Sequence, residues 1–303
     1  MAGKILVIGS LNMDMVVAVD EIPRRGETVP GGNPAYIPGG KGANQACAAA
    51  KLGGKTAMLG MVGDDTAGRT LMDSLRLAGV DVSAVAATDQ APTGTAIIQV
   101  DRSGGNCIVV IPGANAFCGK SHIEARRDLI KSHDIVLLQM EIPPDATFAA
   151  AELAAGYGKT VILNPAPAPG AIPDAVFAYL DYLIPNETEL EKLSGLPVAD
   201  AGSARAAARR LFGRGVKNLL VTLGSQGALL IGGGGAGPIL SSPAPKVAAI
   251  DSTAAGDTFV GAFAVALSEA MPLDAALSFA NRAAAISVTR PGAQPSMPGR
   301  GEM

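Results

Sequence analysis

Apolar residues recur along this chain in two rhythms, and glycine and proline mark where one gives way to the other. Residues 5–8 form an unbroken apolar run, which predicts a buried strand ending at Gly9-Ser10. Leu11-Asn12-Met13-Asp14 follows just beyond that strand end, where ligand groups collect in α/β proteins. Residues 15–19 are short and β-branched, and two proline- and glycine-rich connections lead on through Tyr36-Ile37. No helical pattern intervenes, so these predict strands of a small separate sheet. Gly39-Gly40-Lys41-Gly42 precedes a helix predicted from about 43 to 52, then a strand near 57–62 and a helix near 67–78. A hairpin-like pair at 95–100 and 106–111 turns at Ser103-Gly104-Gly105 and belongs with the same small sheet. Strands near 135–138, 160–163, 182–184 and 219–223 then alternate with helical segments, and 232–237 reads as a loose surface turn after a strand. The expected fold is α/β: a doubly wound, mostly parallel central sheet flanked by helices, in a single domain over 1–303. A small inserted β-sheet comes from two excursions, about 14–38 and 94–112.

Composition narrows the function classes. An apolar content of 48% supports a large core, and 38 glycines promise tight turns and backbone-lined sites. The absence of Trp argues against a stacking platform for single strands, and a net charge of −3 attracts neither nucleic acid nor an anionic membrane. No apolar stretch is long enough to span a bilayer, and nothing near Lys4 resembles a signal peptide. Cys47, Cys107 and Cys118 are scattered without a C-x-x-C spacing and fit reduced, mostly buried thiols. These features predict a soluble cytoplasmic protein.

The chemistry gathers around Asp251-Ser252-Thr253-Ala254-Ala255-Gly256-Asp257. Three small residues deliver the chain to a helix whose buried face carries Phe259, Phe263 and Leu267. Helix N-termini offer unpaired N–H groups and a positive dipole end, so an anion should settle at this turn. Asp257 beside it suits a base that takes a proton from a hydroxyl during phosphoryl transfer, or else is merely a favourable first-turn acid. Gly39-Gly40-Lys41-Gly42-Ala43-Asn44 opens a helix but is no Walker loop; it suits a polyhydroxylated ligand or a phosphate, or is an ordinary strand–helix turn. Asn12 and Asp14, two apart, can face one side and hold vicinal hydroxyls, or form an Asx turn. Glu141 stands at another strand end. Asn186 and Glu189 read as a capping box; the functional alternative has Asn186 meeting a phosphate and Glu189 meeting magnesium through water. Thr222-Leu223-Gly224-Ser225-Gln226-Gly227 suits an adenine or phosphate edge, or a plain hairpin. Residues 288–296 are carbonyl-rich enough to ligate a monovalent cation, or form a loop with no such role, and His122 and His133 read as surface residues.

Taken in order from Lys4 to Ser296, these stretches resemble the ribokinase-like (PfkB) family of carbohydrate kinases. The runs carrying the resemblance are 9–14, 39–46, 164–168, 251–257 and 292–296. It implies that Asn12, Asp14, Gly40, Lys41, Asn44 and Glu141 hold a sugar, with Asp257 as base, an anion hole at Ala255-Gly256-Asp257 and Ala254 completing the catalytic turn. It further implies ATP along Asn186, Thr222, Gly224, Ser225 and Gly227, and against Gly256 and Asn281. Potassium would sit by Asp251, Thr253, Ser287, Arg290, Gly292 and Ser296, with magnesium reached from Glu189. The implied reaction moves the γ-phosphate of ATP to the 5-hydroxyl of D-ribose, in a homodimer joined through the lid sheet. A kinase of another pentose, of 2-deoxyribose or of adenosine is the alternative on the same fold. A sugar-binding regulator is the non-enzyme alternative, which the retained Asp257 argues against. Such kinases continue into a final amphipathic helix, whereas this chain stops at Gly299-Arg300-Gly301-Glu302-Met303, which would leave one core face thinly covered.

Overall fold

The protein is described by a computed structural model covering residues 2–303. The strands are β1 Lys4–Ile8, β2 Asn12–Ala18, β3 Ala35–Gly39, β4 Lys55–Gly63, β5 Asp81–Thr88, β6 Gly94–Val100 and β7 Asn106–Ile111, then β8 Ile135–Leu138, β9 Thr160–Leu163, β10 Tyr182–Leu183, β11 Leu219–Thr222, β12 Ala228–Ile231 and β13 Ile239–Ser242. The helices are α1 Lys41–Lys51, α2 Thr66–Leu77, α3 Lys120–Glu124, α4 Arg127–Lys131, α5 Pro144–Gly156, α6 Asp174–Phe177, α7 Glu187–Ser194, α8 Ala201–Phe212, α9 Ala255–Ser268 and α10 Leu273–Ser287.

The large sheet runs β13-β12-β11-β10-β9-β8-β1-β4-β5, parallel from β11 to β5 with β12 reversed near one edge. Successive residues of β1 feed opposite cores, as a strand covered on both faces must. Leu6 and Ile8 pack among α5, α7 and α8, while Ile5 and Val7 pack among α1, α2, α9 and α10. From β1 the chain moves outward through β4 and β5, then returns to β8 on the other side of β1 and proceeds to β11. Strand order therefore reverses between β1 and β8, and the crevice beyond their C-terminal ends is the natural ligand position.

The small sheet has the order β3-β2-β6-β7 and is built, as its two excursions predict, from residues 12–39 and 94–111. Asn12, Met13 and Asp14 are not a turn. They begin β2, because Gly39 of β3 and Gly94 of β6 both pair with Asn12. Period-two geometry still puts Asn12 and Asp14 on one face. All six residues of edge strand β7 are exposed, Ile108 and Val109 by 51% and 56%.

Several other expectations change. Edge strand β5 lacks a strong apolar run and has only one fully buried residue, Val82, so the pattern does not reveal it. Helix α1 starts at Lys41 rather than Ala43, since Gly40 takes the N-cap at φ 86°. His133 is buried, bonded to the Leu129 carbonyl at 2.8 Å, and His122 is half-buried against Arg126. Cys107 is exposed on β7, unlike Cys47 and Cys118. The C-terminal residues do cover the core face near α1. Met297 is buried, Met303 packs beside it, and Arg300 pairs with Glu269 at 2.8 Å.

Candidate active site

Two glycines bring α1 hard against the end of β1. A Cβ on Gly40 would lie 2.7 Å from the Asn12 nitrogen, and one on Gly42 would lie 2.6 Å from the Ser10 nitrogen. Only glycine allows that approach, which places Lys41 and Asn44 over the switch point. Glu141, just past β8, ties the two sides together: its Oε2 accepts the Ser10 hydroxyl at 2.6 Å and the Lys41 N–H at 3.0 Å. Asn12 is buried, and its Oδ1 accepts from Asn115 Nδ2 at 2.8 Å. Asn115 also exchanges two bonds with the Leu11 backbone, so it fixes the start of β2.

Asp14 has the opposite condition: its Oδ1 is buried with no hydrogen-bond partner. Burial, then the charges of Glu141 and Asp257, push its carboxyl up to about 7 against the pull of Lys41. Lys41 is itself raised. Burial opposes its charge, but Asp257, Glu141, Glu189 and Asp14 together outweigh that cost. One ammonium thus faces four carboxyl groups, with an unpaired acceptor among them. Such a site is poised to receive hydroxyl donors.

The turn before α9 is the other half. Ala254 takes the left-handed conformation at φ 58°, which a side chain enters at a cost of roughly 1–2 kcal/mol. That strain turns the chain sharply into the helix. The Ala255 N–H is consumed by the Ser252 carbonyl at 3.2 Å, so it is not a free donor. The Gly256 and Asp257 N–H groups have no acceptor among the described residues, and a Cβ on Gly256 would enter open space. Asp257 is buried at 6% exposure; its Oδ2 accepts from Asn44 Nδ2 and its Oδ1 from Gln45 Nε2, both at 3.0 Å.

A cavity of about 200 Å³ runs along this turn, lined by Lys41, Asn164, Asn186, Glu189 and Thr222 and by residues Ala254 to Asp257, whereas Asn12, Asp14, Asn44 and Glu141 do not line it. Asn186 caps α7 as the capping box predicts, exchanging bonds with Glu189 at 2.8 and 3.0 Å. Burial raises the Glu189 carboxyl, although the Asn186 N–H and Lys41 act against it. Asn186 also bridges to Thr222, so both phosphate-side candidates share one edge. Gly224, Ser225 and Gly227 form the tight turn from β11 to β12, outside this cavity. Asn281 stands apart too, its amide donating to the Ser242 carbonyl and hydroxyl at 2.8 and 3.0 Å.

Of the predicted cation residues, Asp251, Thr253 and Gly292 are brought together. Asp251 accepts the Thr253 N–H at 2.9 Å and the Gly292 N–H at 2.8 Å, joining two loops through one carboxylate. Burial would raise that carboxyl, but the bonds from Thr253 and Gly292 hold it low. Ser287 and Ser296 are fully buried, with hydroxyls turned back to the Ala284 and Ala293 carbonyls at 2.8 Å. The Arg290 guanidinium pairs with Glu302, so only its backbone is available. Sequence reasoning assigned no role to Ser10, Gln45, Asn115 or Gln139. The available signal for the two glutamines was a polar residue inside an apolar element, Gln45 among alanines and Gln139 after Ile135–Leu138.

A doubly wound sheet with a polar cleft at its strand ends and a second small sheet is the build of a small-molecule kinase. The comparisons are specific. The chain belongs to the pfkB family of carbohydrate kinases, whose description matches residues 2–300. It is 40% identical over 302 residues to the ribokinase of Haemophilus influenzae, covering 100% of this chain and 97% of that one. It is 38% identical over 296 residues to the deoxyribokinase of Salmonella typhimurium, covering 97% and 95%. The solved Arabidopsis thaliana ribokinase, complexed with ribose and ATP, superposes with a TM-score of 0.93 at 35% identity, covering 99% and 97%.

Proposed function

We infer that this protein is an ATP-dependent sugar kinase that phosphorylates the 5-hydroxyl of D-ribose, with Asp257 as general base. The observation carrying this reading is the placement of Asp257. It is a buried carboxylate in the first turn of α9, beside the unpaired N–H groups at Gly256 and Asp257 and within reach of the amide of Asn44. The sugar would lie between β2 and α1, giving hydroxyl hydrogens to Asp14 and Glu141 and receiving bonds from Lys41, Asn44 and the Asn12 amide. Gly40 lets the start of α1 approach Asn12 closely enough to bring these groups together. ATP would run from Thr222 and Asn186 to the α9 turn, with Gly224, Ser225, Gly227 and Asn281 shaping the nucleotide end.

The chemistry then balances simply. The 5-hydroxyl oxygen attacks the γ-phosphorus and forms a new O–P bond. Its proton passes to an Asp257 oxygen, and the bond from phosphorus to the β-phosphate bridging oxygen breaks, releasing ADP. The N–H groups of Gly256 and Asp257, with the dipole of α9, hold the charge on the transferring group. Fixed donors of this kind need no reorganisation during the reaction.

Two ions fit the residues present. Glu189 faces the phosphate side as a carboxylate within water-mediated reach of magnesium, which keeps waters and shares substrate phosphates. Asp251, Thr253, Ser287, Arg290, Gly292 and Ser296 offer a carboxylate and backbone oxygens, a set suited to an alkali ion such as potassium. A bound cation there supplies order and positive charge next to the anion turn. The exposed apolar strand β7 supports a homodimer formed through the small sheet. The whole chain is read as a single domain, with residues 14–38 and 94–112 as its lid. No described helix is long and apolar enough to cross a membrane, and we place the protein in the cytoplasm.

The deciding experiment is ADP release with D-ribose, magnesium and potassium, with the product identified as the 5-phosphate by phosphorus NMR. Turnover that is absent with ribose, or faster with adenosine or with fructose 6-phosphate, overturns the substrate assignment.

A further inference from the structure

We propose that Gln45 is the positioning residue for Asp257, orienting the base through a chain of side-chain amides that begins at a backbone carbonyl. The proposal rests on the reading of Asp257 as base. Gln45 and Gln139 are fully buried, and Asn164 and Asp257 are exposed by 8% and 6%. Their amide groups are bound to one another, although Gln139 Oε1 is buried without a partner. Asn164 Nδ2 donates to the Ile184 carbonyl at 2.8 Å. A carbonyl only accepts, so the Asn164 amide must turn its Nδ2 there and its Oδ1 toward α1. Gln45 Nε2 then donates to that Oδ1 and to Asp257 Oδ1, both at 3.0 Å. Gln45 Oε1 accepts from Gln139 Nε2 at 2.6 Å. Reversing the Gln45 amide would set its oxygen against two oxygens and its NH₂ against a donor. Each orientation is fixed by the one before it, from the main chain to the carboxylate.

Asn44 supplies the other bond to Asp257, but it also faces the sugar, and its own Oδ1 is held only by a 3.4 Å bond from Gln294. Gln45 has no such second duty. It holds Oδ1 and thereby sets the plane of the carboxylate, so that the remaining lone pairs meet the hydroxyl.

Gln45→Met, Gln45→Glu and Asp257→Asn should be measured side by side for kcat and KM between about pH 5.5 and 9, together with calorimetric binding of ribose and ATP and the Tm of each protein. For Gln45→Met the expected result is a fall in kcat of about tenfold or more, with both KM values within about threefold. Gln45→Glu is nearly isosteric. While protonated it can donate to Asp257 as the amide does, but two ionised carboxylates in contact repel. Its activity should be best at low pH and fall as pH rises. A positioning role is overturned if both variants keep the parental pH profile with kcat within about twofold, or if their loss tracks an equal loss of ligand binding. If Gln45→Met does not fold, the pH profile of Gln45→Glu decides. Activity surviving in Asp257→Asn would instead show that the assignment of the base has failed.

Discussion

Asp14→Asn should make the ligand-free protein more stable and a worse sugar binder, and the stability gain should depend on pH. Folding raises the Asp14 carboxyl from an ordinary 3.8 to about 7, chiefly by burial and then by the nearby Glu141 and Asp257. Below the unfolded value both states are protonated, and Asp14 costs nothing. As pH rises past 3.8 the unfolded chain releases the proton while the folded chain retains it, so stability falls. The full penalty is reached above about 7. At roughly 1.4 kcal/mol per pKa unit, a shift of this size corresponds to an upper limit of about 4 kcal/mol. Relaxation and water entry would leave about 1–3 kcal/mol, which is several degrees in Tm at most for a chain of this length. Asparagine carries no charge at any of these pH values and removes the penalty. Urea and thermal unfolding of both proteins at about pH 4 and pH 8, without ligand, should show near-equal stability at the lower pH and a more stable variant at the higher. The same variant loses a charged acceptor for hydroxyl groups, so KM for ribose should rise by about tenfold or more. A stability difference that is equal at both pH values would refute the reasoning, because nothing else in the substitution titrates.

The remaining predictions concern other parts of the cleft. Gly256→Ala lies in a helix where a Cβ meets open space, so it should stabilise the fold by about 0.5–1 kcal/mol, yet lower kcat/KM for ATP by placing a methyl where phosphate approaches; unchanged kinetics would remove Gly256 from the phosphate site. Potassium should raise both turnover and the Tm of the unliganded protein, and lithium at matched ionic strength should do neither, because it is too small to reach the Asp251 and 287–296 oxygens together; equal effects would discard the cation site. 2-Deoxyribose should be used with a kcat/KM about tenfold or more below ribose, since one buried polar group of the site loses its partner; the reverse order would align the chain with its deoxyribokinase relative. Ile108→Lys with Val110→Lys should yield a monomer by ultracentrifugation if β7 forms the dimer contact, and a protein that stays dimeric rules that contact out.

The core of the sheet was legible because its residues repeat one message. Residues 135–138, 161–163 and 219–221 are apolar at every position, which only a strand covered on both faces requires. β5 sends no such message: only Val82 is fully buried, and Ser83 and the small alanines suit an edge as well as a loop. Asn12 to Asp14 was placed beyond a strand because the β-branched run starts later. Yet pairing with Gly39 and Gly94, which are 27 and 82 residues from Asn12, recruits it into β2, and no local pattern encodes such distant partners. The same limit governs the site. Asp257, Lys41 and Asn44 could be singled out because each sits in a glycine- or alanine-rich turn at a helix start, a local feature with a physical use. Gln45 could not, because its significance lies in meeting Asp257, Asn164 and Gln139, residues between 94 and 212 positions away. A polar side chain inside an alanine-rich helix is the trace that sequence alone retains of such a meeting. It indicates that a partner must exist, since an unpaired buried amide would be expelled or replaced, but not which partner. Groups that touch ligand announce themselves through the chain geometry they need, whereas groups that hold those groups in place become visible only when the sheet has brought its strand ends together.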